Sequence, residues 1–343
     1  MSFPRLAHPI VLAPLSGGAS TPELAAAVSD AGGLGFLAAG YTTADALAAA
    51  IARTRELTTA PIGVNVFVLG AGTVDERALA AYRESLAPDA SRLGATLGEP
   101  RFDDDELEAK VDVLERARVA VASTAFGCPS AEFVARLHAA GAEVWVTIGA
   151  PDEVAPALSA GADALVVQGT EAGGHRGGLD DGSELALIPL LRLVRRETDV
   201  PLVAAGGIGD GASVAAVLAA GAAAAQIGTA FLRTPEAGTS AAHRAALAGH
   251  QPTAITRAFT GRRARGIEND FMRAHRDAPA AYPQIHHVTA PLRAAARAAR
   301  DRESINLWAG EAYPLAEELP AAEIVRRFAA DARAALTAAQ SRI

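Results

Sequence analysis

Val166-Val167-Gln168-Gly169-Thr170-Glu171-Ala172-Gly173-Gly174-His175-Arg176-Gly177-Gly178 is an apolar strand that runs into a glycine-rich turn. Four glycines in six positions (Gly173, Gly174, Gly177, Gly178) remove side chains where a flat ligand can approach the backbone, and they allow positive φ. His175, at the tip, can give or take a proton near neutral pH. The strand before it is the sixth of eight strand-like runs: Pro9–Leu15, Leu34–Ala38, Ile62–Val68, Val119–Thr124, Glu143–Ile148, Ala164–Gln168, Leu202–Ala205 and Ala223–Ile227. Apolar strands alternating with amphipathic helices imply a buried parallel sheet. Eight such units in about 230 residues is the size of an α/β fold of the (β/α)8 TIM-barrel type. An open doubly wound sheet is the alternative. In a barrel, His175 lies on the C-terminal rim, where catalytic groups are found.

The helices carry their own punctuation. Ser20-Thr21-Pro22-Glu23 reads as a capped start with proline in the first turn and Glu23 completing a capping box with Ser20. Pro129-Ser130-Ala131-Glu132 opens another helix, and several helices end at Ala-Gly pairs such as Ala31-Gly32 and Ala140-Gly141. Two segments break the rhythm. Residues 69–117 make a long excursion between the third and fourth strands, and their acidic run Asp103-Asp104-Asp105-Glu106 reads as a solvated helix start. Residues 231–300 lose the alternation and are rich in Arg and His. The expected organisation is a barrel domain of residues 1–230 completed by 301–343, with a small substrate-side domain of residues 231–300 after the eighth strand.

Bulk properties narrow the function. Half of the 343 residues are apolar and a fifth are charged, as in a soluble enzyme. A net charge of −8 argues against nucleic acid and against an anionic membrane surface. No apolar run approaches the ~20 residues that span a bilayer. No signal-peptide pattern stands at the N-terminus, and a single cysteine, Cys128, fits a reducing compartment, so a cytoplasmic location is expected. Cys128 reads either as a rim thiol or as a small packing residue. Oligomeric state stays open, a homodimer included.

The loops after strands seven and eight of such barrels often hold a phosphate. Here they read Ala205-Gly206-Gly207-Ile208-Gly209-Asp210-Gly211 and Gln226-Ile227-Gly228-Thr229-Ala230. Glycines at helix starts expose N–H groups where the dipole also favours an anion. Pro14 ends strand one, Asn65 lies inside strand three and Gln168 ends strand six. The Asn65 and Gln168 side chains offer a donor and an acceptor together, which suits the N–C=O edge of an isoalloxazine. FMN is the economical ligand for the whole set. The neutral imidazole of His175 can abstract a proton alpha to an electron-withdrawing group, and its imidazolium could stabilise an anion. An idle turn residue is the bland alternative. Arg176 reads as a loop-solvating or capping side chain. The other histidines, His243 and the pair His286-His287 among them, lack such a setting, and no metal site is expected.

The ordered set of motifs resembles the nitronate monooxygenases, also called 2-nitropropane dioxygenases. It comprises Pro14…Gly17, Ser20 through Ser29, Ala31-Gly32-Gly33-Leu34-Gly35, Asn65-Val66-Phe67, Phe126-Gly127-Cys128-Pro129, Glu171 through Gly177, Ala205-Gly206-Gly207-Ile208, Gln226 through Phe231 and Leu307-Trp308-Ala309-Gly310. The resemblance spans nearly the whole chain. It implies an FMN-bound TIM barrel with Pro14, Asn65, Gln168, Gly173, Gly207, Gln226, Ile227, Gly228 and Thr229 at the cofactor, Gly228 and Thr229 at its phosphate, and His175 as the catalytic histidine. It also implies oxidative denitrification of alkyl nitronates such as propionate 3-nitronate by O2, giving a carbonyl product and nitrite without NAD(P)H. Leu15 stands where the family often has methionine, and Glu311 where it often has glutamine. The same barrel and the Glu-Ala-Gly-Gly-His run occur in NAD(P)H-dependent flavin reductases, of the enoyl-ACP reductase or NADH:quinone type, which are the alternative. A non-catalytic flavin-binding protein is a third reading, and it requires an idle His175.

Overall fold

The computed structural model describes residues 3–342. Eight parallel strands form the sheet: β1 (Ile10–Leu12), β2 (Gly35–Ala38), β3 (Ile62–Phe67), β4 (Val121–Ala125), β5 (Glu143–Ile148), β6 (Ala164–Gln168), β8 (Leu202–Ala205) and β9 (Ala224–Ile227). Their order is β1-β9-β8-β6-β5-β4-β3-β2, and a parallel bridge from Val11 to Leu34 brings β1 against the entry to β2. The result is a (β/α)8 barrel. Three strand ranges read from sequence coincide with those observed, and the others differ only at their ends.

Alternation along each strand sorts its side chains. On β3, Ile62, Val64 and Val66 face the helices, and Gly63 and Asn65 fall on the other face. Gly63 has to lack a side chain, because a Cβ there would lie 2.3 Å from the Phe36 ring. Val11, Phe36, Val121, Trp145, Val166 and Val203 pack as an inner core, with Phe3 stacked on Trp145. The outer core joins the strands to helices, including the C-terminal helix Ala321–Gln340, which lies so close to Gly211–Ala219 that a Cβ on Gly211 would meet Asp331 Cβ at 2.4 Å.

Two readings of helix starts shift. The cap of Pro22–Asp30 is Thr21, whose hydroxyl accepts from Leu24 N–H, and Ser20 instead accepts from Leu15 N–H. Proline at the first helical position sets the register one residue later than the box motif suggests. The acidic run does precede a helix (Leu107–Ala117), but it is not merely solvated. Asp105 pairs with the fully buried Lys110 at 2.7 Å and accepts from Tyr41 N–H, and Glu106 accepts from Ala44 N–H. A buried ammonium needs its counter-charge close by, and the run supplies it.

A second, three-stranded antiparallel sheet caps the barrel: β10 (Thr253–Thr256), β11 (Ala264–Ile267) and β7 (Gly174–His175), in the order β10-β11-β7. Beside it lies an apolar cluster of Leu79, Tyr82 and Leu86 with Ala258, Phe259, Phe271, Ile285, Val288 and Leu292. The first part of the excursion therefore packs with residues 254–292. Among the described residues no helix is long and apolar enough to cross a membrane.

Candidate active site

Chain direction in a parallel barrel puts every β-to-α loop at one end, and a cavity of about 630 Å3 opens there. Pro14, Asn65, Gln168, Gly173, His175, Gly207, Gln226, Gly228 and Thr229 all line it. Ile227 does not. Gln226 falls on the inner face of β9, so the next side chain must point outward, and Ile227 is buried against the helices. Its carbonyl accepts from Ala13 N–H.

The glycines make the cavity's floor. Gly207 sits at φ +67°, a conformation that L side chains seldom adopt. The N–H groups of Gly207, Gly228 and Thr229 have no acceptor among the described residues. Thr229 Oγ1 accepts from Gly310 N–H at 3.0 Å. Gln226 Oε1 is buried and has no hydrogen-bond partner among the described residues. An unsatisfied buried acceptor and a row of free N–H groups are what a flat heterocycle with an N–H edge and a phosphate would satisfy. Asn65 donates to Ser123 Oγ at 2.9 Å. Gln168 also accepts from Gly177 N–H at 2.7 Å and donates to His175 O at 3.2 Å, so its amide ties down the loop it precedes.

His175 is held from several sides. Its backbone belongs to β7, paired with Ala264 on β11. Its ring stands among Phe126, Tyr282 and Trp308, with centroids 5.7, 5.8 and 5.5 Å away. Nε2 meets Thr260 Oγ1 at 2.8 Å, while Nδ1 has no partner among the described residues. Burial pushes the imidazole down to about 3, and the charges of Arg262 and Arg293 push the same way. The ring is therefore neutral at pH 7, with one nitrogen free.

The loop around it is stapled to carbonyls and amides. Arg176 is buried and donates to Gly169 O (3.0 Å) and Thr170 O (2.7 Å), so it is a structural strut, not a solvating charge. Arg262 donates to Arg176 O (2.8 Å), Gly178 O (2.6 Å) and Asp180 O (3.1 Å), with its guanidinium 4.5 Å from the Phe126 ring centre. Glu153 accepts from Gly149 and Asp180 N–H. On the ascending arm, a Cβ on Gly173 would lie 2.4 Å from Gly310 N, so the loop presses against the Trp308-Ala309-Gly310 segment.

Several cavity residues carried no sequence motif. Tyr41, Thr260, His243, His286, Arg293 and Arg297 line the same space. His243 and His286 thus do share the setting of His175. Burial lowers His243 to about 4 and His286 to about 2. The cavity lining includes Arg293 and Arg297 and no aspartate or glutamate, in a protein of net charge −8. A signal did exist for these two: arginines one turn apart, with no acid on the helix between or beside them.

A glycine-lined cavity at the C-terminal end of a (β/α)8 barrel, with no carboxylate in its lining and a buried neutral histidine, is the setting of a small-molecule site in an enzyme of this fold. The family model for nitronate monooxygenase matches residues 4–331. The chain is 39% identical to a nitronate monooxygenase of Paraburkholderia phytofirmans, over 93% of this chain and 91% of that one. Its fold matches the crystal structure of nitroalkane oxidase from Streptomyces ansochromogenes with a TM-score of 0.94 and 48% identity, covering 97% and 98% of the two chains. It also matches FabK from Thermotoga maritima, with a TM-score of 0.79, 27% identity and coverage of 98% and 96%. The chain belongs to the nitronate monooxygenase family, whose members are flavin-dependent oxidoreductases.

Proposed function

We propose that the protein binds FMN and uses O2 to convert alkyl nitronates, propionate 3-nitronate among them, to a carbonyl product and nitrite. The observation that carries this is the neutral His175 ring, with Nδ1 unpartnered, facing an acid-free cavity. FMN would be held by the free N–H groups of Gly207, Gly228 and Thr229 at its phosphate and by Gln226 Oε1 at its ring edge. When bound, it supplies the electron-accepting and oxygen-reducing chemistry. His175 Nδ1 takes the alpha proton of a neutral nitroalkane, and Thr260 keeps the ring in place through Nε2. Phe126, Tyr282 and Trp308 exclude water around the ring. Residues 1–230 and 301–343 would carry the cofactor, and residues 231–300 the substrate side, in a cytoplasmic enzyme.

The test is oxygen uptake by the FMN-loaded protein on addition of propionate 3-nitronate, with no pyridine nucleotide present. Rapid uptake with nitrite release is expected. No uptake, with the flavin bleached instead by anaerobic NADH or NADPH, would move the protein to the reductase reading.

A further inference from the structure

The cavity's cations come from one helix, Gln284–Ala298, in the form of Arg293 and Arg297. Arg293 is only 7% exposed. Its Nε donates to Thr289 Oγ1 at 3.2 Å and its Nη2 to His286 O at 2.9 Å. Nη1 makes no hydrogen bond, and the residue makes no ion pair, among the described residues. Burial lowers the guanidinium to about 10, so it stays charged at neutral pH. The surroundings are rigid: Thr289 is anchored on Phe259 O, and His286 is stacked on Tyr41 at 4.1 Å. A buried cation without a counter-charge is costly, and such a group is usually kept for an anion that arrives. For a nitronate that arrives already ionised, His175 cannot supply the positive charge, because its ring is neutral. Arg293's field does reach the His175 ring, whereas Arg297's is felt at His243, and Arg297 is already bonded to Asn306.

Resting on the reading above, we propose that Arg293 is the substrate-binding residue that neutralises the nitronate anion, through the unpartnered Nη1 edge of its clamped guanidinium. When His175 removes the alpha proton, the C–H electron pair moves into the C–N bond and the negative charge comes to rest on the two nitro oxygens. The proton stays on the imidazole. A planar NO2 group bearing that charge suits a planar fork of N–H donors. Preformed nitronates would need Arg293 from the start. Neutral nitroalkanes would need it only after deprotonation.

The competing source of negative charge is the cofactor's phosphate, and the experiment separates the two. Nitrate, a planar monoanion with no oxidisable carbon, is titrated into flavin-loaded wild type, Arg293→Gln and Arg293→Lys. Flavin absorbance reports binding, and flavin content and the KM for propionate 3-nitronate and for nitroethane are measured alongside. Arg293→Gln should weaken nitrate binding and raise the nitronate KM by about tenfold to a hundredfold. Flavin content and the nitroethane KM should change little, and Arg293→Lys should recover part of the loss. A purely structural role would disturb both substrates together. Unchanged nitrate affinity, or loss of flavin in place of nitrate, would overturn the inference. Should Arg293→Gln fail to fold, Arg293→Lys carries the same test, with a several-fold loss expected and none refuting. A wild type that consumes no nitronate refutes the preceding function, whereas an active Arg293→Gln with full nitrate affinity refutes this inference alone.

Discussion

Replacing Arg262 with methionine should loosen His175, the proposed base, without emptying the proposed flavin site. Arg262 makes three N–H···O bonds to the loop after β7, at 2.8, 2.6 and 3.1 Å, two of them from the same Nη2. A bond from a charged donor is worth about 1.5–3 kcal/mol, and its loss leaves a carbonyl unpaired. The position over the Phe126 ring adds about 1 kcal/mol. Methionine retains much of the stem's packing. Because the shared donor makes these terms non-additive, the expected loss is about 3–5 kcal/mol, or roughly 6–10 °C at about 2 °C per kcal/mol for a chain this long. The kcat for neutral nitroalkanes should fall at least about tenfold, because a base displaced by an ångström loses its alignment. Flavin content should hold, since the N–H groups of Gly207, Gly228 and Thr229 make no contact with Arg262. Losing the cation also relieves one of the charges that hold His175 down, so its pKa should rise while burial keeps it below 6.5. Thermal unfolding and steady-state kinetics decide the matter. A melting point and kcat both at wild-type values would refute the claim that this clamp orders the loop.

Other outcomes follow from the same geometry. His175→Ala should keep flavin but cut turnover of neutral nitroalkanes by about 10²–10⁴-fold, with a much smaller effect on preformed nitronates; equal losses on both would refute a proton-transfer role. Gly228→Asp sets its Cβ 3.3 Å from Leu15 Cδ2 and 3.4 Å from Ala13 Cβ, a tight fit that the flexible end of Leu15 can relieve by a small shift, and puts a carboxylate beside the proposed phosphate site; folded, colourless protein is expected, and full flavin loading would refute the site. His243 is held at about 4 when folded against about 6.5 unfolded, so the unfolded chain binds the extra proton and stability is lost as pH falls below 6.5, by at most about 1.4 kcal/mol per unit. Urea midpoints between pH 7.5 and 5 should therefore fall less steeply for His243→Gln than for wild type, and identical slopes would show that the ring protonates freely in the fold.

Much of this was legible in the chain. Parallel strands buried on both faces announce themselves as continuous apolar runs, so Glu143–Ile148, Ala164–Gln168 and Leu202–Ala205 were readable to the residue. Glycines and amides at strand ends marked the cavity lining. Alternation along β9 also set the direction of the Ile227 side chain, since Gln226 and its neighbour cannot both face inward. The capping sheet was less readable. Gly174-His175 has no strand character of its own and becomes one only by pairing with Ala264-Arg265, some ninety residues away. His286 and Thr260 reach the cavity through that long-range packing, and nothing local about them says so; the acid-free spacing of Arg293 and Arg297 was the one local hint.

The pairing of β7 with β11 has a consequence for anyone who would exchange caps between relatives. His175 is covalently part of the barrel's sixth loop, yet its backbone is a rung in the cap's sheet, and Gly173 leaves no gap against the segment ending at Gly310. The cap is therefore not a removable cassette. A graft of residues 231–300 alone would leave the host's histidine paired with a foreign central strand, and the smallest transplantable unit includes residues 171–178 and 307–310 as well.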